Sequence, residues 1–226
     1  MTPVQFVQLL QEIPPLPNVC NPWKDYVPEI DLMPEAPARR AAHLNAYLAA
    51  RVGKAKVLLV GEAPGYQGCR FSGIAMTSER MLLGNHEVPA DAMFASDIER
   101  WRTSGPMAQQ PEGGAAEPTA TIAWKLLLEL GYSPNTFVFW NSFPFHPYKP
   151  LNRLMTNRAP TPLERVATAH VLPAMQALYP GVKVIAVGRI AQASLPAGTP
   201  AVRHPAMGGA TKFREEMRAW ATEMSA

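Results

Sequence analysis

Cysteine is scarce in this chain, which has two, Cys20 and Cys69, among its 226 residues. They stand too far apart in sequence to suggest a metal-binding pair, and two cysteines alone build neither a zinc site nor an iron–sulfur cluster. Reduced thiols are typical of proteins inside the cell. The sequence therefore predicts a cytoplasmic protein that uses no metal and no other cofactor.

Long apolar runs and a strong charge of one sign are also missing. The purely apolar runs are strand-sized, whereas a membrane-spanning helix needs roughly 20 such residues, and the first residues lack a basic stretch followed by an apolar signal core. The formal net charge of +3 permits a polyanionic partner without requiring one. Apolar residues make up 47% of the chain, enough for one domain over residues 1–226 with a sizeable core. We expect a monomer that does not enter a membrane.

Strand-like and helix-like segments alternate along the chain. The runs KAKVLLVG, NTFVFWN and GVKVIAVG are nearly continuous in apolarity, which is typical of strands covered on both faces. The clearest helical segment begins at Thr161, which forms a capping box with Glu164, and Pro173 is expected to kink it. A fourth short strand is expected just before His204. This order predicts an α/β fold, a three-layer α/β/α sandwich with a central, mainly parallel four-stranded sheet.

Three loops follow predicted strands, with the sequences GEAPGYQGCRFSG, NSFPFHPYKP and VRHPAMGG. In parallel sheets ligands bind beyond the carboxyl ends of the strands, so we expect the sheet to bring these loops to one crevice. A further segment, TSGPMAQQPEGGAAEPTA, has the composition of a long surface loop. It either covers the crevice or lies apart from it.

The first of these loops is rich in glycine, which lets backbone amides approach a planar or anionic ligand closely. Its spacing matches neither the dinucleotide-binding nor the P-loop motif, and no lysine follows to reach a phosphate. A purely structural strand-to-helix turn is the alternative. Glu62 favours a functional loop, because an acid directly after a buried strand is costly unless it is solvated, hydrogen-bonded or used.

The other two loops supply an amide and an imidazole. Asn141 ends the apolar run FVFW, and its carboxamide offers the donor and acceptor needed to read the edge of a heterocyclic base; the alternative is a turn residue that caps the strand. His204 precedes a proline, which restricts its backbone. Its imidazole is a good donor to negative charge that develops on an oxygen. His146 is interpreted as a turn histidine.

Together these loops resemble the motifs of the uracil-DNA glycosylase superfamily. There a GEAPG-type motif follows the first strand, an asparagine ends a middle strand, and a His-Pro loop comes near the C-terminus; this chain has VGEAPG, FVFWN and RHPA in that order. The run NRAPTPLE is similar to one in the superfamily's iron–sulfur branch. The likeness covers roughly residues 57–213. The cluster-binding cysteines of that branch are missing, so the resemblance implies a member without the cluster.

The resemblance implies a DNA glycosylase of base excision repair that flips uracil or another deaminated base out of DNA and hydrolyses its N-glycosidic bond. It assigns His204 to the oxyanion that develops on the departing base and Asn141 to the uracil edge, and we hypothesise that Glu62 supplies the catalytic carboxylate. The base-binding positions that it implies are Gly61, Ala63, Gly65, Tyr66, Phe71 and Met76. The DNA-binding positions are Arg203, Pro205, Gly208, Gly209 and Lys149, with the glycine pair leaving room for a DNA strand.

Two positions depart from the superfamily's most active branch. Ala63 stands where that branch has an aspartate that positions water, and Met76 stands where a stacking phenylalanine is expected. An alternative function is therefore a catalytically weak or inactive protein of the same fold that binds nucleic acid or a nucleobase. A third is an unrelated nucleotide-binding α/β enzyme, which would gain support if Asn141 and His204 lay far apart.

Overall fold

The structure is a computed structural model that describes residues 1–94, 98–106, 112–151 and 154–225. Within these ranges the strands are β1 (Val19–Cys20), β2 (Val57–Gly61), β3 (Phe137–Asn141), β4 (His146–Pro147), β5 (Lys183–Val187) and β6 (Ala201–Val202). The α-helices are α1 (Pro3–Glu12), α2 (Ala36–Ala49), α3 (Cys69–Ser72), α4 (Glu79–Leu82), α5 (Pro118–Glu129), α6 (Pro162–Ala167), α7 (Val171–Ala177), α8 (Arg189–Ala193) and α9 (Ala210–Ser225). A short 3₁₀ helix spans Ala90–Met93.

The central sheet has four parallel strands in the order β3-β2-β5-β6, flanked by helices. Every residue of β2 and β3 is buried, which explains why their sequences are continuously apolar rather than alternating. The predicted α/β architecture is confirmed, including the short fourth strand before His204. A small antiparallel pair, β1 with β4, was not predicted because two-residue strands carry no periodicity. No helix within the described ranges is both long and apolar enough to cross a bilayer.

The helix predicted to begin at Thr161 is present but broken in two. Its capping box forms as expected, with the Glu164 N–H donating to Thr161 Oγ1 at 3.3 Å and the Thr161 N–H donating to Glu164 Oε2 at 2.7 Å. Pro173 lies in the first turn of α7, where a missing N–H is tolerated. The chain therefore interrupts the helix before the proline instead of kinking at it.

A buried ion cluster joins α2 to the first loop. Asp31 accepts hydrogen bonds from Arg40 Nη1 at 2.8 Å and Arg70 Nη1 at 3.1 Å, and all three side chains are fully buried. Burial by itself raises the pKa of the Asp31 carboxyl, but the two guanidinium groups outweigh it and hold that pKa below its ordinary value. Arg40 lies in α2 and Arg70 in α3, so one carboxylate fixes the position of the loop helix.

The segment predicted to be a surface loop begins inside the protein. Thr103 and Ser104 are fully buried, and their N–H groups donate to Glu79 Oε1 at 2.6 and 3.0 Å. The surface prediction is therefore wrong at this end, because a buried carboxylate from α4 satisfies the backbone amides that a surface loop would leave to water. Residues 107–111 of the segment lie outside the described residues.

Replacing Asp31 with asparagine is expected to lower the free energy of unfolding by about 3–5 kcal/mol, because it leaves two buried guanidinium groups without a counter-charge. Urea denaturation measures the change. The matched control is Asp91→Asn, which breaks a pair of similar length, 2.8 Å to Arg100, whose carboxylate is 90% exposed and is expected to contribute less than about 1 kcal/mol. Equal losses for the two variants would contradict a structural role for the cluster.

Candidate functional site

A cavity of about 700 Å³ opens at the carboxyl edge of the central sheet. Glu62 from the loop after β2, Asn141 at the end of β3 and His204 from the loop after β6 all line it. Strands β2 and β3 pair in parallel with Gly61 opposite Asn141, which places the first two loops side by side. The topology thus brings the three loops to one crevice, as the sequence predicts.

Two side chains crowd Gly61 at the end of β2, so any residue with a Cβ atom there would force them to move. A Cβ atom on Gly61 would lie 2.6 Å from Met76 Cε and 2.9 Å from Asn141 Oδ1, both closer than real Cβ contacts. Met76 has a positive φ of 46°, in the left-handed region of backbone conformation. Residues with a side chain rarely adopt this region because it is sterically strained. The Asn141 carboxamide is buried, lines the cavity, and makes no hydrogen bond to the described residues. Its donor and acceptor are therefore available to a ligand.

His146 holds the first loop in place from behind. Its Nδ1 lies 2.9 Å from the Pro64 carbonyl oxygen and its Nε2 lies 3.1 Å from that of Leu154. Burial lowers the pKa of this imidazole to about 4, so it is neutral at physiological pH and donates a hydrogen bond to only one of these two carbonyl oxygens. The first loop is also bonded to the loop after β3, because the Phe143 N–H donates to the Glu62 carbonyl oxygen at 2.9 Å. These contacts give His146 a structural position, but it lies buried in strand β4, so its interpretation as a turn histidine is wrong.

His204 presents a defined donor to the cavity. Its Nδ1 accepts a hydrogen bond from the Ala206 N–H at 3.1 Å, so the neutral ring carries its proton on Nε2. Burial and, to a smaller degree, the Arg203 charge lower the pKa of this imidazole. At neutral pH the ring is therefore an uncharged group that donates through Nε2.

The predicted room for a DNA strand at Gly208 and Gly209 is only partly present. Gly209 is buried, and a Cβ atom there would overlap the carbonyl oxygen of His204. The close neighbour of Gly209 is thus the protein's own backbone, which corrects that prediction. Gly208 is exposed and has open space around it.

The remaining predicted site residues divide into two groups. Those that line the cavity are Gly61, Glu62, Ala63, Gly65, Met76, Asn141, His204 and Pro205. Those that do not are Tyr66, Phe71, Lys149, Arg203, Gly208 and Gly209. Phe71 is fully buried against Ile30 in a separate apolar cluster, because α3 turns its ring away from the cavity, so it cannot stack on a ligand there. Arg203 is exposed and lines a second, adjoining cavity of about 690 Å³, while Lys149 is exposed on the middle loop.

Sequence reasoning missed five polar residues that line the cavity, Gln67, Glu117, Thr119, Asn157 and Arg158, and among these Glu117 is the only carboxyl. It lies in the segment interpreted as a surface loop, directly before α5, yet it lines the cavity and its Oε2 is buried without a hydrogen-bond partner. Burial raises the pKa of its carboxyl to about 7. The only signal in the sequence is a glutamate before a proline at a helix start, which by itself indicates no more than an extended residue.

The polar groups of the cavity suit hydrogen bonding and proton transfer. Glu62 is half-buried, and burial raises the pKa of its carboxyl while the Arg165 charge partly opposes this. The cavity therefore combines two carboxyls, three carboxamides, one guanidinium, one hydroxyl and one neutral imidazole with apolar surface from Met76 and Ile122. Among the described residues, no group of three or more His, Cys, Asp or Glu side chains is arranged to hold a metal ion.

Comparisons with known proteins support the fold. No family model matches the sequence, and no curated protein matches it. The crystal structure of wild-type SMUG2 from Pedobacter heparinus is similar, with a TM-score of 0.60 over 100% of this chain and 97% of that chain, at 14% sequence identity. At this identity the likeness shows the fold, which is of the uracil-DNA glycosylase type.

Replacing Gly61 with alanine is expected to lower the free energy of unfolding by about 1–3 kcal/mol, because the new methyl group displaces Met76 and Asn141. The double variant with Met76→Ala should recover part of that loss, a non-additive result that urea denaturation can measure. Gly65→Ala is the control, since its Cβ atom would meet nothing nearer than 3.8 Å. Equal losses at Gly61 and Gly65 would contradict the close packing at the end of β2.

Proposed function

We propose that the protein is a DNA glycosylase that hydrolyses the N-glycosidic bond of uracil or another deaminated base in DNA, the first step of base excision repair. The observation that carries this proposal is that Asn141, His204 and Glu62 line one cavity. The fold adds support, because it is shared with SMUG2, a member of the uracil-DNA glycosylase superfamily. The sequence motifs and the geometry thus favour the same activity.

The flipped base enters the cavity between Met76 and the three loops. The Asn141 carboxamide reads its edge, accepting from a ring N–H through Oδ1 and donating from Nδ2 to a carbonyl oxygen. Met76 provides a polarisable apolar face for the plane of the base. Backbone groups at Ala63 and Gly65 border the same space. Binding in this pose holds the base apart from the duplex.

Cleavage breaks the bond between C1′ of the sugar and the base nitrogen, and the electron pair leaves with the base. The negative charge that develops on a base oxygen accepts a hydrogen bond from His204 Nε2. A neutral imidazole serves here, because it donates without first having to acquire a proton. Water adds to C1′, and its proton passes to the Glu62 carboxylate. Glu62 thus serves as the acidic residue that positions the water, because Ala63 has no polar side chain.

The outer rim of the site contacts the DNA backbone and the base stack. Arg203 and Lys212 line the second cavity beside His204, where their charges suit phosphate groups. Met207, in the same loop, is 93% exposed and has a positive φ of 55°. Its apolar side chain enters the space that the flipped nucleotide leaves.

A second candidate function is a protein of the same fold that binds a nucleobase or nucleic acid without efficient catalysis. Ala63 and Met76 favour it, because neither supplies the acid or the aromatic platform of the superfamily's most active branch. The third alternative, an unrelated nucleotide-binding enzyme, loses support, since Asn141 and His204 line one cavity.

Purified protein is expected to release the base from single-stranded or duplex oligonucleotides that contain uracil, hypoxanthine or xanthine, leaving an abasic site. His204→Ala and Asn141→Ala should each lower the single-turnover rate by about 100-fold or more, the usual effect of losing one donor to developing charge. Glu62→Gln should also slow the reaction, and full activity in this variant would remove Glu62 from the mechanism.

The control for these variants is His170→Ala, since His170 is exposed and lines neither of the two cavities. It should leave the rate unchanged. Binding of every lesion without an abasic product would favour the second candidate function. Neither binding nor product on any lesion would contradict both.

A further inference from the structure

The Glu117 carboxyl is an unsatisfied buried group in the wall of the cavity. The residue as a whole is half-buried, but Oε2 is shielded from solvent and finds no hydrogen-bond partner. Buried polar atoms are nearly always hydrogen-bonded, since leaving one without a partner costs about 1–3 kcal/mol. Because Oε2 is shielded behind the first loop without a partner, the uncharged carboxyl is favoured, and a ligand in the cavity meets the other oxygen of the same group.

The first loop is shaped to admit this carboxyl. A Cβ atom on Gly68 would overlap Glu117 Oε2, and one on Gly65 would stand 4.0 Å from Glu117 Oε1. Glycine at position 68 thus leaves the volume that the carboxyl occupies. Because the loop and the residue before α5 fit one another, the placement of Glu117 is part of the site rather than a chance approach.

Glu117 lies away from the end of the cavity where the bond is broken. Glu62 and His204 line both cavities and therefore lie where the two adjoin. Glu117, like Met76 and Ile122, lines only the first cavity. In the proposed function the sugar is held near Glu62 and His204. The edge of the base that points away from the sugar then faces Glu117.

We propose that Glu117, as a neutral carboxylic acid, donates a hydrogen bond to a carbonyl oxygen of the flipped base and so selects deaminated bases. This inference rests on the proposed function. Deamination replaces an exocyclic amino group with a carbonyl oxygen, which accepts the O–H of an acid. An ionised Glu117 would instead repel that oxygen and the negative charge of the departing base. No covalent bond to the protein and no net proton transfer to Glu117 is involved.

The surroundings of Glu117 keep its carboxyl protonated at pH values below about 7. Burial alone raises the pKa of its carboxyl to about 7. Cys69 interacts electrostatically with Glu117, but burial raises the pKa of its thiol, so it carries no charge. Glu62, Arg158 and His204 are the charged or titratable side chains, besides Cys69 and Glu117, that line the same cavity. Since the neutral acid is the active form, base recognition should be complete below about pH 7 and weaken as the proton is lost above it.

The first test is the pH dependence of single-turnover excision from about pH 5.5 to about pH 8.5, for the wild type and for Glu117→Gln. The wild-type rate should fall about tenfold per pH unit above the pKa of Glu117. Glutamine keeps a donor but cannot ionise, so its rate should show no such fall. Glu117→Ala, which lacks a donor, should be slow at every pH. Glu29→Gln removes an exposed acid and should behave as the wild type.

Two results would overturn the proposal. A wild-type rate that rises through pH 7, together with loss of activity in Glu117→Gln, would make Glu117 the base that deprotonates water. An identical decline above pH 7 in wild type and Glu117→Gln would assign that decline to another group. In either case glycosylase activity itself would stand.

A second readout separates this inference from the proposed glycosylase activity. Calorimetry measures binding of free uracil, hypoxanthine and xanthine, and infrared difference spectra report the protonated carboxyl. One outcome is that no substrate is cleaved, but base binding weakens above pH 7 in the wild type and not in Glu117→Gln. This outcome would support the recognition of the base by Glu117 and contradict the proposed glycosylase activity. Loss of the protonated-carboxyl band in Glu117→Gln supports the assignment. The same band in both proteins, or no base binding by either, overturns it.

Discussion

The position of the first loop depends on one buried carboxylate, that of Asp31. It pairs with the two guanidinium groups of Arg40 and Arg70, and moving it away would leave both buried charges without a counter-charge in a low-dielectric interior. Arg40 also donates to Thr103 Oγ1, which in turn lies close to the Glu79 carboxylate. Two buried acids therefore share one network. Through this hydrogen-bond network, α2, α3 and α4 fix the position of the first loop relative to the sheet.

The sheet and the three main polar residues of the site could be predicted because their signals are local. Continuous apolar runs mark β2 and β3, and the rule that ligands bind at the carboxyl edge places Glu62, Asn141 and His204 together without any knowledge of side-chain packing. Phe71 shows the limit of such reasoning. It belongs to a helix of only four residues, too short for a periodic pattern to reveal which way its ring points.

The parts that could not be predicted depend on contacts between distant segments. Glu117 lies in a segment of glycines and alanines whose composition is typical of solvent-exposed loops. The burial of its Oε2 depends on Gly68, which is distant in sequence and has no Cβ atom to overlap it. Thr103 and Ser104 are buried for a similar reason, because Glu79 supplies acceptors that their own neighbourhood lacks. The composition of a segment indicates the free-energy penalty of burying its polar groups. It does not show the hydrogen-bond partner that offsets this penalty, because that partner lies elsewhere in the chain.

The loop that carries His204 is already closed on itself. The Ala206 N–H bonds the imidazole, the Gly209 N–H donates to the Ala206 carbonyl oxygen at 3.1 Å, and the backbone at Gly209 packs against that of His204. The conformational entropy of ordering this loop is therefore lost when the protein folds and not when a ligand arrives. A ligand that contacts this loop therefore meets backbone that is already ordered, so little further conformational entropy is lost there on binding.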